Sequence, residues 1–317
     1  MYLSVIICTH NPREEFLQRT LQSLRSQTLP ADRWELLLID NASTKSLAEQ
    51  WDLSWHPSSR VVREDRLGLT QARLRGIDEA KGSILVFVDD DNVLAQDYLQ
   101  VSLETISRMP WLGAFSGSTV GEYEVPLPLW ASNMPIQLAV REIKHVAWGC
   151  LPGTQSLPFA PVGAGMVIRR QVAEHYLRQV KKDNLRQSLD RKGDLLLSGG
   201  DSDMAYCACE LGYAVGVFPE LSLVHIIPKQ RLEAPYLLKL AEGMAFSHAI
   251  LRFMWDGELP PEPQTKIESR SVRIFNAYAR FRTRLRGKPQ PTFDEQWYAA
   301  TQTGVLRARE FILSLKA

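Results

Sequence analysis

Short apolar runs alternate with segments of helical spacing in the first third of the chain. The runs lack a polar face, as buried strands of a parallel sheet do, and they occupy residues 3–8, 34–39, 61–64 and 83–88. Leucines at helical spacing mark a first helix, with Asn11 expected as its cap and Pro12 in its first turn. This alternation predicts an α/β fold with a doubly wound, mostly parallel sheet and right-handed crossovers.

Polar residues follow three of these strands, at Thr9, at Asp40-Asn41 and at Asp89-Asp90-Asp91. The carboxyl ends of parallel strands meet at one edge of a sheet, so these side chains should line one crevice. Three adjacent carboxylates repel one another, and a divalent cation bound through oxygen ligands would relieve that repulsion. The alternative is a solvated acidic turn that caps the next helix near Asn92.

The middle of the chain predicts further strands and helices around an irregular loop region. Strands are expected at residues 112–117, 161–168, 214–218 and 221–226, and helices at 96–108 and 198–211. Gly163 and Gly165 at the entrance of one strand permit close backbone approach. Residues 122–161 are rich in proline, glycine and tryptophan, and a loop of this length usually carries function. Trp130 and Trp148 there would either stack on a sugar or pack inside the protein.

Beyond residue 228 the pattern predicts helices at 233–255 and 293–315. Between them, residues 266–288 hold eight lysines and arginines against one acid, Glu268, interleaved with apolar residues. Such a basic amphipathic helix can lie on an anionic membrane surface, or it can be the solvated face of a packed helix. The C-terminal helices could also support a homo-oligomer.

The composition of the chain excludes some classes of protein but does not indicate a function by itself. The chain has 317 residues, 45% hydrophobic residues and a formal net charge of +1, which gives no argument for nucleic-acid binding. We see no secretory signal and no apolar run long enough to span a bilayer, so we expect a cytoplasmic protein with reduced, structural cysteines, at most peripheral at the inner membrane face.

The strand ends, the aspartate triplet, the Ser198–Asp203 segment and the late His225 together resemble a family-two glycosyltransferase of the GT-A fold, over residues 2–227. The chain departs from the family at Gly200-Asp201, where many members carry Glu-Asp. The resemblance implies a catalytic domain of residues 1–227, with a nucleotide-sugar half to about 118 and an acceptor half from about 119. It leaves residues 228–317 as a helical extension.

The resemblance also implies an activity: an inverting, metal-dependent transfer from a nucleotide-diphosphate sugar, most simply UDP-linked. The acceptor would be a glycan or lipid-linked glycan in cell-surface polysaccharide synthesis. Two alternatives stay open, a non-catalytic nucleotide-sugar-binding protein and a sugar nucleotidyltransferase. The second would want a glycine- and lysine-rich loop after the first strand, where His10-Asn11-Pro12-Arg13 stands instead. The same stretch disfavours a Rossmann dehydrogenase.

Carried over position by position, the resemblance assigns the site residues. Nucleotide and diphosphate contacts fall on Thr9, Asp40, Asn41, Arg73, Asp89 and Asp90. Asp91, Asp89 and His225 would bind Mn²⁺ or Mg²⁺, and Asp201 would be the catalytic base, with Asp203 as the second choice. Residue type alone allows plainer roles: Asp201 as a helix N-cap, His225 as a core histidine and Arg73 as a solvated helix residue.

Overall fold

The computed structural model describes residues 2–128, 138–153, 158–191, 196–262 and 291–315. Its first half contains four parallel strands: β1 (Leu3–Thr9), β2 (Trp34–Asn41), β3 (Ser59–Glu64) and β4 (Ile84–Asp89). Three helices connect them: α1 (Glu14–Arg25), α2 (Leu47–Gln50) and α3 (Leu69–Glu79). The predicted strand–helix alternation is therefore confirmed in this half.

The start of α1 differs from the prediction. The cap position is Arg13, and Asn11 adopts a positive φ of 47° two residues earlier. The Asn11 carboxamide oxygen accepts a hydrogen bond from the Thr44 backbone N–H at 2.8 Å. Asn11 therefore ties the turn after β1 to the turn after β2 and does not cap the helix.

The second half of the sheet is mixed. It contains β5 (Asn92–Leu94), β6 (Leu112–Tyr123), β7 (Ala147–Gly149), β8 (Val167–Arg169) and β9 (Ala214–Ile227), in the order β3-β2-β1-β4-β8-β6-β9-β5 with β7 also on β9. Strand β8 runs antiparallel to β4 and β6, and both β5 and β7 run antiparallel to β9. The two strands predicted at 214–226 are one strand, with a register shift opposite Gly117.

Helices cover both faces of the sheet. The second half adds α4 (Tyr98–Arg108), α5 (Arg170–Val180), α6 (Asn184–Gln187) and α7 (Gly200–Glu210). Apolar residues of α1 and α4 pack on one face, and those of α3, α5 and α7 pack on the other. This arrangement is the doubly wound α/β architecture that the sequence predicted.

Two long helices follow the sheet, α8 (Ala234–Asp256) and α9 (Phe293–Ser314), and they pack together through Phe246, Ala308 and Ile312. A capping box of Thr292 and Glu295 begins α9. The basic segment 266–288 and Trp130 lie outside the described residues. Among the helices that are described, none combines the length and apolar character needed to cross a membrane. The domain boundary near residue 227 stays a prediction.

Candidate active site

The acidic triplet lies in a tight turn between β4 and β5. Asn92 begins β5 and pairs with His225 of β9, so strand pairing brings the late histidine beside the acids. The Asn92 side chain accepts a hydrogen bond from the Asp89 backbone N–H at 3.2 Å and donates one to Asp91 Oδ1 at 3.0 Å. The next helix begins only at Tyr98, so the acidic turn does not cap it.

Asp91 and His225 form a buried pair with suitable ligand geometry. His225 Nδ1 lies 2.9 Å from the Leu138 carbonyl oxygen, and this contact requires the hydrogen on Nδ1. The free lone pair of His225 is therefore on Nε2, which lies 3.4 Å from Asp91 Oδ2. Arg231 reaches the same place, with one guanidinium nitrogen 3.0 Å from Asp91 Oδ2. His225 is thus a member of the acidic site.

The pKa values of the three aspartates in the triplet are shifted in different directions. Burial, together with the charge of Asp91, raises the pKa of Asp90 to about 7, although the Thr9 hydroxyl donates a hydrogen bond to it. Burial and Asp91 likewise raise the pKa of Asp89. Burial acts in the same direction on Asp91, but the neighbouring His225 and the charge of Arg231 hold its pKa below the usual range. Arg231 therefore balances the charge of Asp91, whereas burial and the charge of Asp91 disfavour the ionised forms of Asp89 and Asp90. Thr9 is itself buried and positions Asp90.

This imbalance predicts a pH-dependent stability of the metal-free protein. A carboxyl whose pKa rises from 3.8 to about 7 on folding contributes stability that is fully present below 3.8 and is lost as the pH rises through about 7. We expect the free energy of unfolding in EDTA to fall between about pH 4 and pH 7, and Asp90→Asn to flatten that slope. Urea unfolding at several pH values measures it, and an unchanged slope in Asp90→Asn would contradict the assignment.

The donor atoms of Asp91 and His225 fit a divalent cation of the Mn²⁺ or Mg²⁺ type. Such ions commonly take one or two protein ligands and complete their coordination with water and substrate phosphates. Within the described part of the chain, the only group of three potential ligands within 4.8 Å of one another is His175, Cys207 and Glu210. Asp89, expected as a further ligand, therefore does not group with Asp91 and His225.

The His175, Cys207 and Glu210 group lies between α5 and the far end of α7. Arg186 already donates to Cys207 Sγ at 3.2 Å, and burial raises the pKa of that thiol. A positive guanidinium against a protonated thiol opposes metal binding at this place.

Asp201 stands in the first turn of α7, and its carboxylate is held by two backbone amides. Gly163 N–H donates to Oδ2 at 2.8 Å, and Ser202 N–H donates to Oδ1 at 2.9 Å. A Cβ at Gly163 would lie 2.9 Å from Arg73 Nη2 and 3.1 Å from Asp201 Oδ2, so a side chain there would have to displace the Arg73 guanidinium. The N-cap position belongs to Gly199, whose φ is 98°. Asp201 therefore does not act as the N-cap.

Asp203, the second choice for a base, is fully buried. Its carboxylate receives hydrogen bonds from Arg186 Nη1 at 3.0 Å and Trp255 Nε1 at 2.9 Å. An acceptor hydroxyl cannot reach it, and its contacts tie α7 to α8. Asp203 is therefore a structural residue and not a second candidate for the catalytic base.

Arg73 is buried, in contrast to the solvated alternative, and is paired with a residue that the sequence did not single out. Its Nη1 lies 2.8 Å from Asp190 Oδ2, while Asp190 Oδ1 accepts the Gly200 N–H at 3.0 Å. Burial opposes the charge of Arg73, but Asp190, Asp201 and Asp89 together raise its pKa. Arg73 therefore links α3 to the beginning of α7, directly beside Asp201.

Asp40 and Asn41, at the end of β2, were both expected to contact the nucleotide, but their side chains have different surroundings. Asp40 accepts from Ser43 N–H at 3.0 Å and from Arg63 Nη1 at 2.8 Å, and it borders a depression of about 340 Å³ lined by Asp40, Ser43, Thr44, Ser46, Ala48, Val61 and Arg63. Asn41 turns the other way: its amide donates to the Glu64 and Arg66 carbonyl oxygens, and its oxygen accepts the Gly68 N–H. All of its polar atoms are engaged, so Asn41 positions the loop before α3.

One further residue at the crevice carries no sequence signal, because it lies within an apolar helix. His248 on α8 is open to solvent, yet surrounding protein lowers its pKa, which the charge of Asp201 opposes. The preceding residue, Ser247, accepts a hydrogen bond from Ser198 N–H at 3.0 Å, which fixes α8 against the loop that leads to Asp201. The helical extension thus contributes to the crevice. Half-exposed Trp148, by contrast, pairs near the opposite end of β9.

Solved structures of glycosyltransferases share the overall fold of this chain, which is the GT-A fold. Mannosyltransferase PcManGT from Pyrobaculum calidifontis, in complex with GDP-Man and Mn²⁺, matches with a TM-score of 0.53 at 18% identity, over 98% of this chain and 86% of that one. S. aureus TarS matches with a TM-score of 0.51 at 15% identity, over 98% of this chain and 55% of TarS.

The family model of glycosyl transferase family 2 matches residues 4–163, and the chain belongs to this family. Glycosyltransferase AglE of Haloferax volcanii is 34% identical over 109 residues, 33% of this chain and 36% of AglE. The putative teichuronic acid biosynthesis glycosyltransferase TuaG of Bacillus subtilis is 26% identical over 154 residues, 47% of this chain and 60% of TuaG. The matches thus span less than two thirds of either relative. The chain is therefore related to glycosyltransferases of polysaccharide biosynthesis.

Proposed function

We propose that this enzyme transfers a sugar, with inversion, from a nucleotide-diphosphate sugar to a glycan or lipid-linked glycan acceptor, with Mn²⁺ or Mg²⁺ bound at Asp91 and His225. One observation carries the proposal: His225 Nε2 lies 3.4 Å from Asp91 Oδ2, and buried Arg73 lies close enough to both Asp89 of the same turn and Asp201 for their charges to raise its pKa. A cation ligand pair and a general base in one crevice are what activated-sugar transfer requires.

The chain's own residues supply two chemical roles. Asp201, oriented by the Gly163 and Ser202 amides, takes the proton of the acceptor hydroxyl as that oxygen attacks the anomeric carbon. Attack from the face opposite the leaving diphosphate inverts the configuration. A divalent ion, when bound, neutralises the charge that develops on the leaving diphosphate. Arg73 holds a buried positive charge beside Asp201 and so keeps the carboxylate in place.

Asp40 and the neighbouring depression support the donor assignment. The Asp40 carboxylate keeps acceptor capacity beyond its contacts with Ser43, Leu47 and Arg63, and it can receive the imide N–H of a uracil ring. TarS has been solved in complex with UDP-GlcNAc. Guanine also offers a ring N–H beside a carbonyl, and PcManGT was solved with GDP-Man, so UDP and GDP are the two nucleotides to compare.

We also propose a class of acceptor and a location for the enzyme. The name of TuaG places that relative in teichuronic acid biosynthesis, which favours a cell-surface glycan as acceptor. The basic segment 266–288 would hold the enzyme at the inner, anionic face of the membrane, where a lipid-linked acceptor is presented. The C-terminal helices would also allow the protein to form a homo-oligomer.

Thermal unfolding with nucleoside diphosphates tests the donor site. A nucleotide at about 100 times its dissociation constant should stabilise the fold by about 2.7 kcal/mol. We expect this shift for UDP with Mn²⁺, little shift without the metal, and none in Asp91→Asn. GDP is the comparison, and Glu104→Gln, at an exposed position on α4, is the control variant. No shift with either nucleotide in the presence of Mn²⁺ would contradict the proposed donor site.

A further inference from the structure

A single guanidinium contacts both candidate metal ligands. Arg231 lies on a short 3₁₀ helix (Lys229–Leu232) between β9 and α8. Its Nη2 lies 3.0 Å from Asp91 Oδ2, and its Nη1 lies 3.0 Å from His225 Nε2. The side chain is only 21% exposed, so these contacts are made largely away from water. Arg231 thus occupies the position where a bound cation would meet both residues.

Because Arg231 contacts His225, Arg231 and a metal ion cannot both bind His225 at the same time. A neutral imidazole has one nitrogen lone pair, and His225 has its hydrogen on Nδ1, facing the Leu138 carbonyl oxygen. The Nε2 lone pair can therefore accept from Arg231 or bind a metal ion, but not both. A divalent ion at Asp91 would also lie within a few ångströms of a positive guanidinium, which costs free energy in a buried site.

The surroundings provide a place for the displaced side chain. Tyr236, at the start of α8, lies near Arg231, and its hydroxyl is buried with no hydrogen-bond partner among the described residues. A shift of the guanidinium towards this hydroxyl would satisfy it. The diphosphate of a donor, which would enter with the metal, carries the negative charge that a displaced guanidinium requires.

We propose that Arg231 is an internal counterion, which holds Asp91 and His225 together in the metal-free enzyme and must leave His225 before a cation can bind. The inference rests on the proposed function, because it takes Asp91 and His225 as the metal ligands. The consequence is that metal and nucleotide bind cooperatively. A metal ion alone must displace the Arg231 guanidinium from Asp91 and leave it without a counterion. When a nucleoside diphosphate binds together with the metal, its negative charge can pair with the displaced guanidinium. Arg231 is therefore a positioning residue that couples the two ligands.

The test measures Mn²⁺ binding directly, by the electron paramagnetic resonance signal of free Mn²⁺ titrated with the full chain. Arg231→Gln should bind Mn²⁺ alone about tenfold more tightly than the natural protein, within the usual range of coupling between sites. The same variant should bind UDP more weakly at saturating Mn²⁺. A merely structural role for Arg231 would weaken both. Lys229→Gln, on the same 3₁₀ helix but without contact to Asp91, is the matched control and should change neither affinity.

Three outcomes decide between the hypotheses. Unchanged or weaker Mn²⁺ binding in folded Arg231→Gln overturns the counterion role. If that variant does not fold, Arg231→Lys carries the test: it keeps the charge but cannot span both ligands, so it should also tighten Mn²⁺ binding, and no change overturns the inference. Natural-level Mn²⁺ binding by Asp91→Asn would instead remove the metal site itself, and with it the proposed function.

Discussion

Replacement of Asp201 by asparagine is expected to lower the turnover number by about 10²–10⁴-fold, the usual contribution of a general base. Asparagine has nearly the same shape and can still accept the hydrogen bond from Gly163 N–H, so the loop and α7 should keep their positions. It cannot take a proton from the acceptor hydroxyl. UDP affinity in the presence of Mn²⁺ should be unchanged, because Asp201 does not belong to the Asp91 and His225 pair.

The measurement combines two readouts on one protein. Release of nucleoside diphosphate from the sugar nucleotide selected by the binding screen gives the turnover number, and thermal unfolding with UDP and Mn²⁺ gives donor binding. Asp203→Asn is the companion variant: its carboxylate is buried against Arg186 and Trp255, so it should lower stability more than it lowers turnover per folded molecule. Full turnover by Asp201→Asn would remove Asp201 as the base.

Much of the fold could be predicted because its signals are local. Strands β1, β2 and β4 are buried on both faces, and each reads as a short, almost purely apolar run. The helix that carries Asp201 was predicted through Leu211, and Gly212 follows with a φ of 78°, the conformation that ends helices. Such features depend on neighbours in sequence, so the sequence alone was enough.

The contacts between distant elements could not be read in the same way. Strand β5 is only three residues long and exists because it pairs with β9, which brings Asn92 opposite His225. The family resemblance implied that Asn41 contacts the nucleotide, but the direction of its side chain depends on the loop that it holds. Arg231 and Asp190 read as ordinary charged residues, and their importance comes only from the partners that folding gives them.

Asp190→Asn is expected to lower the free energy of unfolding by about 3–5 kcal/mol, the usual cost of removing one partner from a buried ion pair. Asparagine tolerates the positive φ of 71° at this position and can still accept the Gly200 N–H, so backbone strain is not added. What is lost is the negative charge 2.8 Å from Arg73 Nη1, which leaves a buried guanidinium without its direct counterion. Urea unfolding monitored by circular dichroism measures the change.

Glu122→Gln is the matched control, because it neutralises an acid that also pairs with an arginine, Arg19, at the protein surface. Both partners are nearly half exposed, so the loss should stay below about 1 kcal/mol. An equally small effect in Asp190→Asn would mean that Asp201 and Asp89, which also raise the pKa of Arg73, balance its charge without Asp190. The buried arginine would then depend on the catalytic carboxylate, and Asp201→Asn should in turn destabilise the fold.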